Sequence, residues 1–213
     1  MEGKFGVLEK IMSKDLIENL RIREYHRGEF LLTIDEHKIV YILEGTVYAI
    51  RYYGGKKTIN PYFFNKNQFI GVNMYLQKDI RDWEMVAASK TVRAVVLDEK
   101  LLEEHLLNDV KILRFILERG AGAIRRGMRG SFIRANGGAK VFFAFLLISN
   151  SVDRKMYFWK YGDIADVLNV GKSMLYKLTG ELTEEGCIKK EKNFITILDE
   201  EKLMKYYEEY MYN

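Results

Sequence analysis

The sequence predicts an α+β fold: a β-rich N-terminal half, then a long helix, then a small C-terminal unit of helices closed by a β-hairpin. Three observations predict it. Short β-rich runs separated by turn residues fill residues 30–97, a heptad-like pattern follows Asp109, and two amphipathic helices with a tight turn between them precede a charged hairpin near the C-terminus. The 213 residues allow one large domain or two small ones, and 48% hydrophobic residues is ordinary for a globular protein.

The N-terminal half changes periodicity after its first twenty residues. Val7, Leu8, Ile11, Met12 and Leu16 lie at helical spacing and predict one short amphipathic helix. Beyond it, turn signals recur every eight to twelve residues between short runs, which is typical of a sandwich or barrel. The predicted strands are Phe30–Leu32, Ile39–Leu43, Val47–Tyr53, Ile59–Phe64, Met85–Ala87 and Val92–Leu97.

A long helix is predicted to begin at Asp109, after a shorter one capped by Asp98. Apolar and glycine residues then recur at alternating spacings of four and three, as in a heptad seam. Glycine lowers helix propensity by about 1 kcal/mol, a cost that is tolerated where two backbones approach closely. We therefore predict a dimer seam, with one buried helix of a single domain as the alternative. The seam residues are Leu113, Leu117, Gly120, Ile124 and Gly127.

The segment Tyr161–Gly180 reads as a helix-turn-helix. Ala165 is small where the two helices must cross, and Asn169 stands at the turn, where its side chain tolerates a left-handed backbone. Ile164 and Leu168 on the first helix and Val170, Leu175 and Leu178 on the second supply the inner faces. A generic helical hairpin is the alternative.

The next segment predicts a β-hairpin with a basic tip. Gly186 is placed to end the preceding helix, Ile188 begins a strand, and Phe194–Leu198 returns. A basic hairpin directly after the second helix of a helix-turn-helix is a wing, suited to backbone phosphates.

Taken together, the chain resembles the Crp/Fnr family of bacterial transcription regulators. The resemblance implies an N-terminal β-roll like that of cyclic-nucleotide-binding domains (a double-stranded β-helix), a long dimerisation helix and a C-terminal winged helix-turn-helix. The implied domains are residues 1–108 for the effector domain, 109–137 for the dimerisation helix and hinge, and 138–213 for DNA binding. The matching stretches are Tyr25–Glu29, Tyr41–Val47, Asn67–Gly71, Tyr161–Gly180, Leu182–Ile188 and Ile197–Leu203.

The resemblance implies a homodimer that binds inverted-repeat double-stranded DNA, with RNA polymerase and an unidentified small-molecule effector as further partners. Lys172, Ser173 and Lys177 match the base-reading positions of the second helix, and Tyr176 is a further candidate for a contact to a base or to the backbone. Lys can donate to guanine but lacks the rigid fork of Arg, so we expect an operator that diverges from the usual one. The phosphate candidates are Lys160, Tyr161, Lys189, Lys190 and Lys192.

The effector pocket departs from that of the members that bind cyclic AMP. Val72 stands where they carry a ribose-binding Glu, and Asp82 where they carry a phosphate-binding Arg. A one-residue shift of the alignment would make Arg81 the phosphate partner. We therefore expect an effector other than cyclic AMP or none, with a cyclic-nucleotide-responsive signalling protein as the alternative. The predicted pocket residues are Gly71, Asn73, Arg81, Trp83 and Met128, and Met74 and Tyr75 also suit an apolar or aromatic ligand.

Charge and composition limit the classes of protein and of partner that remain. Residues 1–108 hold 16 basic and 16 acidic residues, whereas residues 111–192 hold 16 basic and 8 acidic ones, which favours an anionic partner for the second half. The single Cys187 excludes a disulfide framework and an N-terminal iron–sulfur cluster. Scattered histidines predict no metal site, no cofactor is expected, and no nucleophile–base pair indicates an enzyme. No apolar run is long enough to predict a membrane span, so a cytoplasmic protein is expected.

Overall fold

The computed structural model describes residues 4–54, 56–77 and 82–211. Its helices are α1 (Leu8–Ile11), α2 (Lys14–Asn19), α3 (Val72–Leu76), α4 (Glu99–Leu101, continued by a π-helical turn over Leu102–Leu106), α5 (Val110–Ser149), α6 (Tyr161–Leu168), α7 (Lys172–Glu184) and α8 (Glu200–Lys205, followed by a 3-10 turn over Glu208–Tyr210). Its strands are β1 (Ile22–His26), β2 (Phe30–Leu32), β3 (Ile39–Glu44), β4 (Val47–Tyr53), β5 (Lys56–Phe64), β6 (Phe69–Ile70), β7 (Trp83–Ala87), β8 (Thr91–Leu97), β9 (Lys155–Tyr157), β10 (Ile188–Lys190) and β11 (Phe194–Ile197).

The N-terminal half is a β-roll of two four-stranded antiparallel sheets. One sheet has the strand order β1-β8-β3-β6 and the other β2-β7-β4-β5. A core of small and branched side chains lies between them, including Leu32, Val40, Ile42, Val47 and Met85. The predicted α+β fold class is confirmed.

The prediction of one N-terminal helix is wrong. The backbone leaves the helical region at Met12 (φ −105°, ψ 152°) and Ser13 (φ −66°, ψ 158°), so two short helices form. Ser13 is the N-cap of α2, a position at which Ser is common and the backbone is extended. The predicted caps are confirmed, because Asp98 accepts a hydrogen bond from the Leu101 amide and Asp109 accepts one from the Lys111 amide.

Helix α5 runs through the whole molecule and contributes to two cores. Near its start, Ile112, Phe115 and Ile116 pack with the outer face of the first sheet and the N-terminal helices. Near its end, a nearly continuous run from Phe142 to Leu147 is buried in the C-terminal core. Between the two, Gly138 has a left-handed φ of 72°, which interrupts the helix where a hinge is predicted.

By length and composition alone, α5 is apolar enough to cross a membrane, and 39% of its most apolar window is buried in the structure. Core helices of soluble proteins pass the same test. The predicted domain limits at residues 108 and 137 remain predictions, although the N-cap of α5 at Asp109 and the kink at Gly138 lie beside them.

Asn150, immediately after α5, ties the C-terminal unit to the β-roll. Its side-chain Oδ1 accepts a 2.9 Å hydrogen bond from the Phe63 amide, and its Nδ2 donates a 2.8 Å bond to the Pro61 carbonyl. Asn150 is only 2% exposed, so these bonds satisfy polar groups that water does not reach. The same core holds Tyr48 and Phe63 from the β-roll together with Ile164 from α6.

Replacing Gly130 with Ala should destabilise the protein by about 1–3 kcal/mol, because the new methyl group has no room. A Cβ there would overlap the Tyr62 hydroxyl and would lie 2.9 Å from the Phe145 ring. Gly180→Ala in α7 is the control, since no heavy atom beyond its chain neighbours and its own helix's backbone lies within 4 Å of its Cβ position. We expect that control to be as stable as the parent or up to about 1 kcal/mol more stable. Equal urea midpoints for both variants would contradict the packing described here.

Candidate nucleic-acid interface

Helices α6 and α7 form the predicted helix-turn-helix. Asn169 ends α6 in the left-handed conformation (φ 56°, ψ 47°), which confirms the prediction for this residue. The Val170 amide donates to the Ala165 carbonyl at 3.0 Å, closing the turn. Ala165 is 2% exposed at the crossing, where a larger side chain would separate the helices. Leu175 and Leu178 are buried beneath α7, as the pattern predicts.

Helix α7 has two chemically different faces. Its buried residues are Leu175, Leu178, Thr179 and Leu182. At 100° per residue, Ser173 and Lys177 lie opposite these four, Tyr176 lies on the flank, and Lys172 lies at the edge of the buried side. The candidates Lys172, Ser173, Tyr176 and Lys177 are all exposed. The structure therefore brings them together on one solvent-facing surface, which we call the α7 polar face.

The wing follows a helix end of Schellman geometry. The Gly186 amide bonds to the Thr183 carbonyl and the Cys187 amide to the Leu182 carbonyl, both at 2.9 Å, with Gly186 at a φ of 72°. Strands β10 and β11 then pair antiparallel, with Ile188 opposite Ile197, and β9 pairs with the far side of β11. Cys187 is 1% exposed and burial raises the pKa of its thiol, which fits the predicted role as a small core residue.

Tyr161 joins the wing to both helices instead of standing free as a phosphate donor. Its hydroxyl shares a short hydrogen bond with the Thr179 hydroxyl, and burial raises the pKa of Tyr161. Its ring centroid lies 5.2 Å from that of Tyr176, and the Lys190 Nζ lies 4.5 Å from the Tyr161 ring. Three of the predicted DNA-contact residues, Tyr161, Tyr176 and Lys190, thus form one cluster between α6, α7 and the hairpin.

The remaining phosphate candidates differ in whether their ammonium group has a partner within the protein. Lys189 forms a 2.9 Å ion pair with Glu191, and this contact raises the pKa of Lys189. Lys160 lies 4.3 Å from the Trp159 ring centroid at the start of α6. Lys192 is exposed at the hairpin tip. Within the described ranges, no carboxylate lies within ion-pair distance of Lys172, Lys177, Lys190 or Lys192.

Asp163 is a positioning residue that the sequence reasoning did not single out. Its carboxylate accepts a 3.3 Å bond from the Lys160 amide at the start of α6 and a 3.1 Å bond from the Tyr48 hydroxyl of β4. Burial and the nearby Asp163 carboxylate both raise the pKa of Tyr48. An acidic residue in the first turn of a helix was the available signal, because it complements the helix dipole. The contact to Tyr48 had no local signal.

The predicted seam lies along one stripe of α5. Leu117 and Ile124 are 70% and 67% exposed, which is unusual for large apolar side chains at helical spacing. Leu113 and Gly127 are partly buried, and Gly120 is exposed. Met128, predicted for the effector pocket, is 70% exposed beside this stripe.

A cavity of about 570 Å³ lies between the β-roll and α5, in the region predicted for an effector. Gly71, Asn73 and Trp83 line it, whereas Met128 is outside the described lining and Arg81 lies outside the described residues. Met74 and Tyr75 are core residues, 0% and 5% exposed, and do not line it either. Val72 does line it, as the comparison with the ribose-binding Glu assumed.

Asp82 is occupied by an ion pair rather than directed at a ligand. Its Oδ2 accepts a 2.7 Å hydrogen bond from Arg51 Nε, and the Arg51 guanidinium also lies 5.2 Å from the Trp83 ring centroid. Asp82 is not among the described lining of the cavity. In the part of the chain that the structure describes, no group of three His, Cys, Asp or Glu side chains is placed to hold a metal ion.

Comparison with known proteins gives matches among solved structures. No family model matches the sequence, and no curated protein matches it either. A CRP-family transcriptional regulator from Thermus thermophilus is 17% identical, with a TM-score of 0.68 over 86% of this chain and 95% of that one. FixK2 from Bradyrhizobium japonicum is 18% identical, with a TM-score of 0.68 over 88% and 96%.

A protein from Eubacterium rectale assigned to the Crp/Fnr family is 13% identical, with a TM-score of 0.70 over 96% of this chain and 99% of that one. Identities this low establish the fold, which here extends over both the β-roll and the winged helix. The resemblance predicted from the sequence is confirmed at that level: this chain has the fold of the Crp/Fnr transcriptional regulators.

Proposed function

We propose that the protein is a homodimeric, sequence-specific DNA-binding transcription regulator that acts in the cytoplasm. One observation carries the proposal. The α7 polar face presents Lys172, Ser173, Tyr176 and Lys177 to solvent, whereas Leu175, Leu178, Thr179 and Leu182 bury α7 in the C-terminal core. The structural neighbours described as transcriptional regulators support the same conclusion.

The α7 polar face has the chemistry of a major-groove reader. A helix of this kind enters the groove with its N-terminal residues towards the base edges. Lys172 and Lys177 can donate to guanine O6 and N7, while Ser173 can donate or accept. The Tyr176 ring packs against that of Tyr161, and its hydroxyl can donate or accept a hydrogen bond. We propose that these four side chains read the sequence.

The wing and the start of α6 supply contacts to phosphates. Lys192 at the hairpin tip and Lys160 at the start of α6 are exposed, and Lys190 lies on the side of the hairpin that faces α6. Phosphate contacts fix the register of a protein on DNA and carry no sequence information directly. Tyr161 is a positioning residue in this scheme, because its hydroxyl is already bonded to Thr179.

The exposed stripe on α5 is proposed as the dimer interface. Leu117 and Ile124 are seven residues apart, the repeat of a coiled coil, and glycines between and beside them allow two helices to approach. A two-fold pair of α7 helices implies an inverted-repeat operator with half-sites about 34 Å apart. We propose RNA polymerase as a further partner.

We propose an effector other than cyclic AMP or none at all, and no catalytic role. At the position where members that bind cyclic AMP hold the phosphate, burial of that anion requires a paired cation or several donors. Asp82 is an anion at the position matched to the phosphate-binding Arg, and Arg51, its partner, is not among the described lining of the cavity. A signalling protein that responds to cyclic nucleotides without binding DNA would not need the α7 polar face.

Selection of bound sequences from a random DNA pool tests the proposal and gives the operator. We expect recovery of an inverted repeat whose half-sites are one helical turn apart. Recovery of no sequence preference, with and without cell extract, would contradict a sequence-specific regulator.

Lys177→Ala should weaken binding to the selected operator by roughly 1–3 kcal/mol and relax the preference at particular base pairs. Its ammonium group lies on the α7 polar face and has no carboxylate partner among the described residues. Fluorescence anisotropy with the operator and single-base variants measures this. Lys205→Ala on α8 removes the same charge from an exposed site outside the interface and should have little effect. An equal loss of affinity for all DNA sequences would show that Lys177 contacts the DNA backbone instead of a base.

Lys192→Ala should reduce the affinity for specific and random DNA alike, because it removes a phosphate contact. The slope of log affinity against log salt should become shallower by about 0.9. Lys205→Ala again serves as the control and should leave the slope unchanged. A parent-like slope in Lys192→Ala would place the hairpin tip away from the DNA.

Ile124→Glu should dissociate the dimer and abolish operator binding, because its carboxylate would be desolvated in the seam without a partner. Sedimentation velocity reports the mass. Arg125→Glu is the matched control: the neighbouring side chain is exposed and lies outside the heptad seam, so that variant should remain dimeric. A dimer that survives Ile124→Glu would place the interface on another surface.

A further inference from the structure

The cavity between the β-roll and α5 has a predominantly apolar wall. Its volume of about 570 Å³ is in the range of small-molecule sites. Aromatic and aliphatic side chains from both sheets and from α5 form this wall, among them Phe64, Phe69, Trp83, Met85 and Ile116. Such a surface binds an apolar body through dispersion and release of water.

The polar groups of the cavity are neutral or positively charged. The neutral ones are Asn60, Tyr62, Gln68, Asn73 and Gln77, and the charged ones are Arg119 and Arg126. None of the described lining residues is an Asp, a Glu or a Lys. The two arginines are seven residues apart on α5, hence on one face and about 10 Å from each other along the helix axis.

Arg126 is the more deeply placed cation. It is partly buried, while Arg119 is exposed and lies 4.9 Å from the Phe115 ring centroid. Burial and the neighbouring Arg125 both lower the pKa of Arg126, so a nearby anion would stabilise its charge. No carboxylate of the described chain forms an ion pair with it. A partly buried guanidinium beside an apolar wall is complementary to an anion that carries an apolar group.

We propose that this cavity binds a small organic carboxylate with an aromatic or aliphatic body, whose carboxylate pairs with Arg126. The guanidinium fork matches the two oxygens of a carboxylate. The rest of the ligand would lie against Trp83, Met85 and Ile116.

The position of the cavity connects an occupant to the winged helix. Tyr62 lines the cavity and donates a 3.1 Å hydrogen bond to the Gly127 carbonyl of α5. Its neighbours Pro61 and Phe63 are the residues bonded to Asn150. Three consecutive residues of β5 therefore contact the cavity, α5 and the first residue after α5. We expect occupancy to change operator affinity, a consequence that rests on the proposed DNA-binding function.

Calorimetry on the full-length protein without DNA tests the binding itself. The probes are 1-naphthaleneacetate and its uncharged counterpart 1-naphthaleneacetamide, which share one apolar body, together with cyclic AMP. We expect the acid to bind at least about tenfold more tightly than the amide, the difference that one charge-assisted pair provides. Equal binding of acid and amide, no binding of the acid, or tighter binding of cyclic AMP would overturn the proposal.

Arg126→Gln should weaken binding of the acid at least about tenfold and leave that of the amide unchanged. Arg125→Gln is the matched control, because it removes the adjacent charge from an exposed residue outside the described cavity lining. It should bind both probes like the parent. Arg126→Lys keeps the charge without the fork, so it should retain part of the preference for the acid and serves if Arg126→Gln does not fold. An equal loss in the Arg125 and Arg126 variants would assign the effect to overall charge.

Operator binding is measured separately for the same variants without a probe. If the acid binds through Arg126 but the protein selects no DNA, the cavity proposal stands and the proposed regulator fails. If the protein selects DNA but the acid does not bind, the cavity proposal alone fails.

Discussion

Helix α5 is the element on which the rest of the molecule depends. Its start is buried against the β-roll, its end is the centre of the C-terminal core, and Asn150 directly after it bonds to β5. Because the bond from the Phe63 amide is buried, removing the Asn150 side chain would leave that amide unsatisfied, at about 1–3 kcal/mol. The orientation of the C-terminal unit relative to the β-roll is therefore fixed by packing and by specific hydrogen bonds, not by a free linker.

This arrangement places the cavity and the winged helix on opposite sides of one strand. Tyr62 contacts the cavity and α5, whereas Pro61 and Phe63 contact Asn150. Alternate residues of a strand point to opposite faces, so a shift of β5 that admits a ligand also moves the groups bonded to Asn150. The contact of Tyr48 with Asp163 adds a second connection, at the start of α6. The first connection reaches the residue after α5 and the second reaches α6, and both of these helices pack with α7 in the C-terminal core.

The lysines of the proposed DNA surface differ in whether their charge already has a partner within the protein. Lys189 is paired with Glu191 and Lys190 lies on the Tyr161 ring, whereas Lys177 and Lys192 are exposed without a carboxylate nearby in the described chain. An exposed ion pair contributes little to stability, and its lysine contributes less to an external phosphate. The exposed lysines without a carboxylate partner in the described chain are thus the ones expected to dominate the affinity for DNA and its dependence on salt.

Local patterns were enough to predict the β-rich half, the helix-turn-helix, the wing and the caps, because turns, helix ends and amphipathic faces depend on residues close in the chain. Asn169 and Gly186 are examples in which one residue's backbone preference marks the boundary. Strand β1 was missed because its exposed residues do not show the pattern of a half-buried strand. Two features join residues that are far apart in sequence. Asn150 bonds to β5, and Arg126 lines the same cavity as apolar residues of the β-roll. Only tertiary packing decides such pairs, since no local preference depends on a partner about ninety residues away.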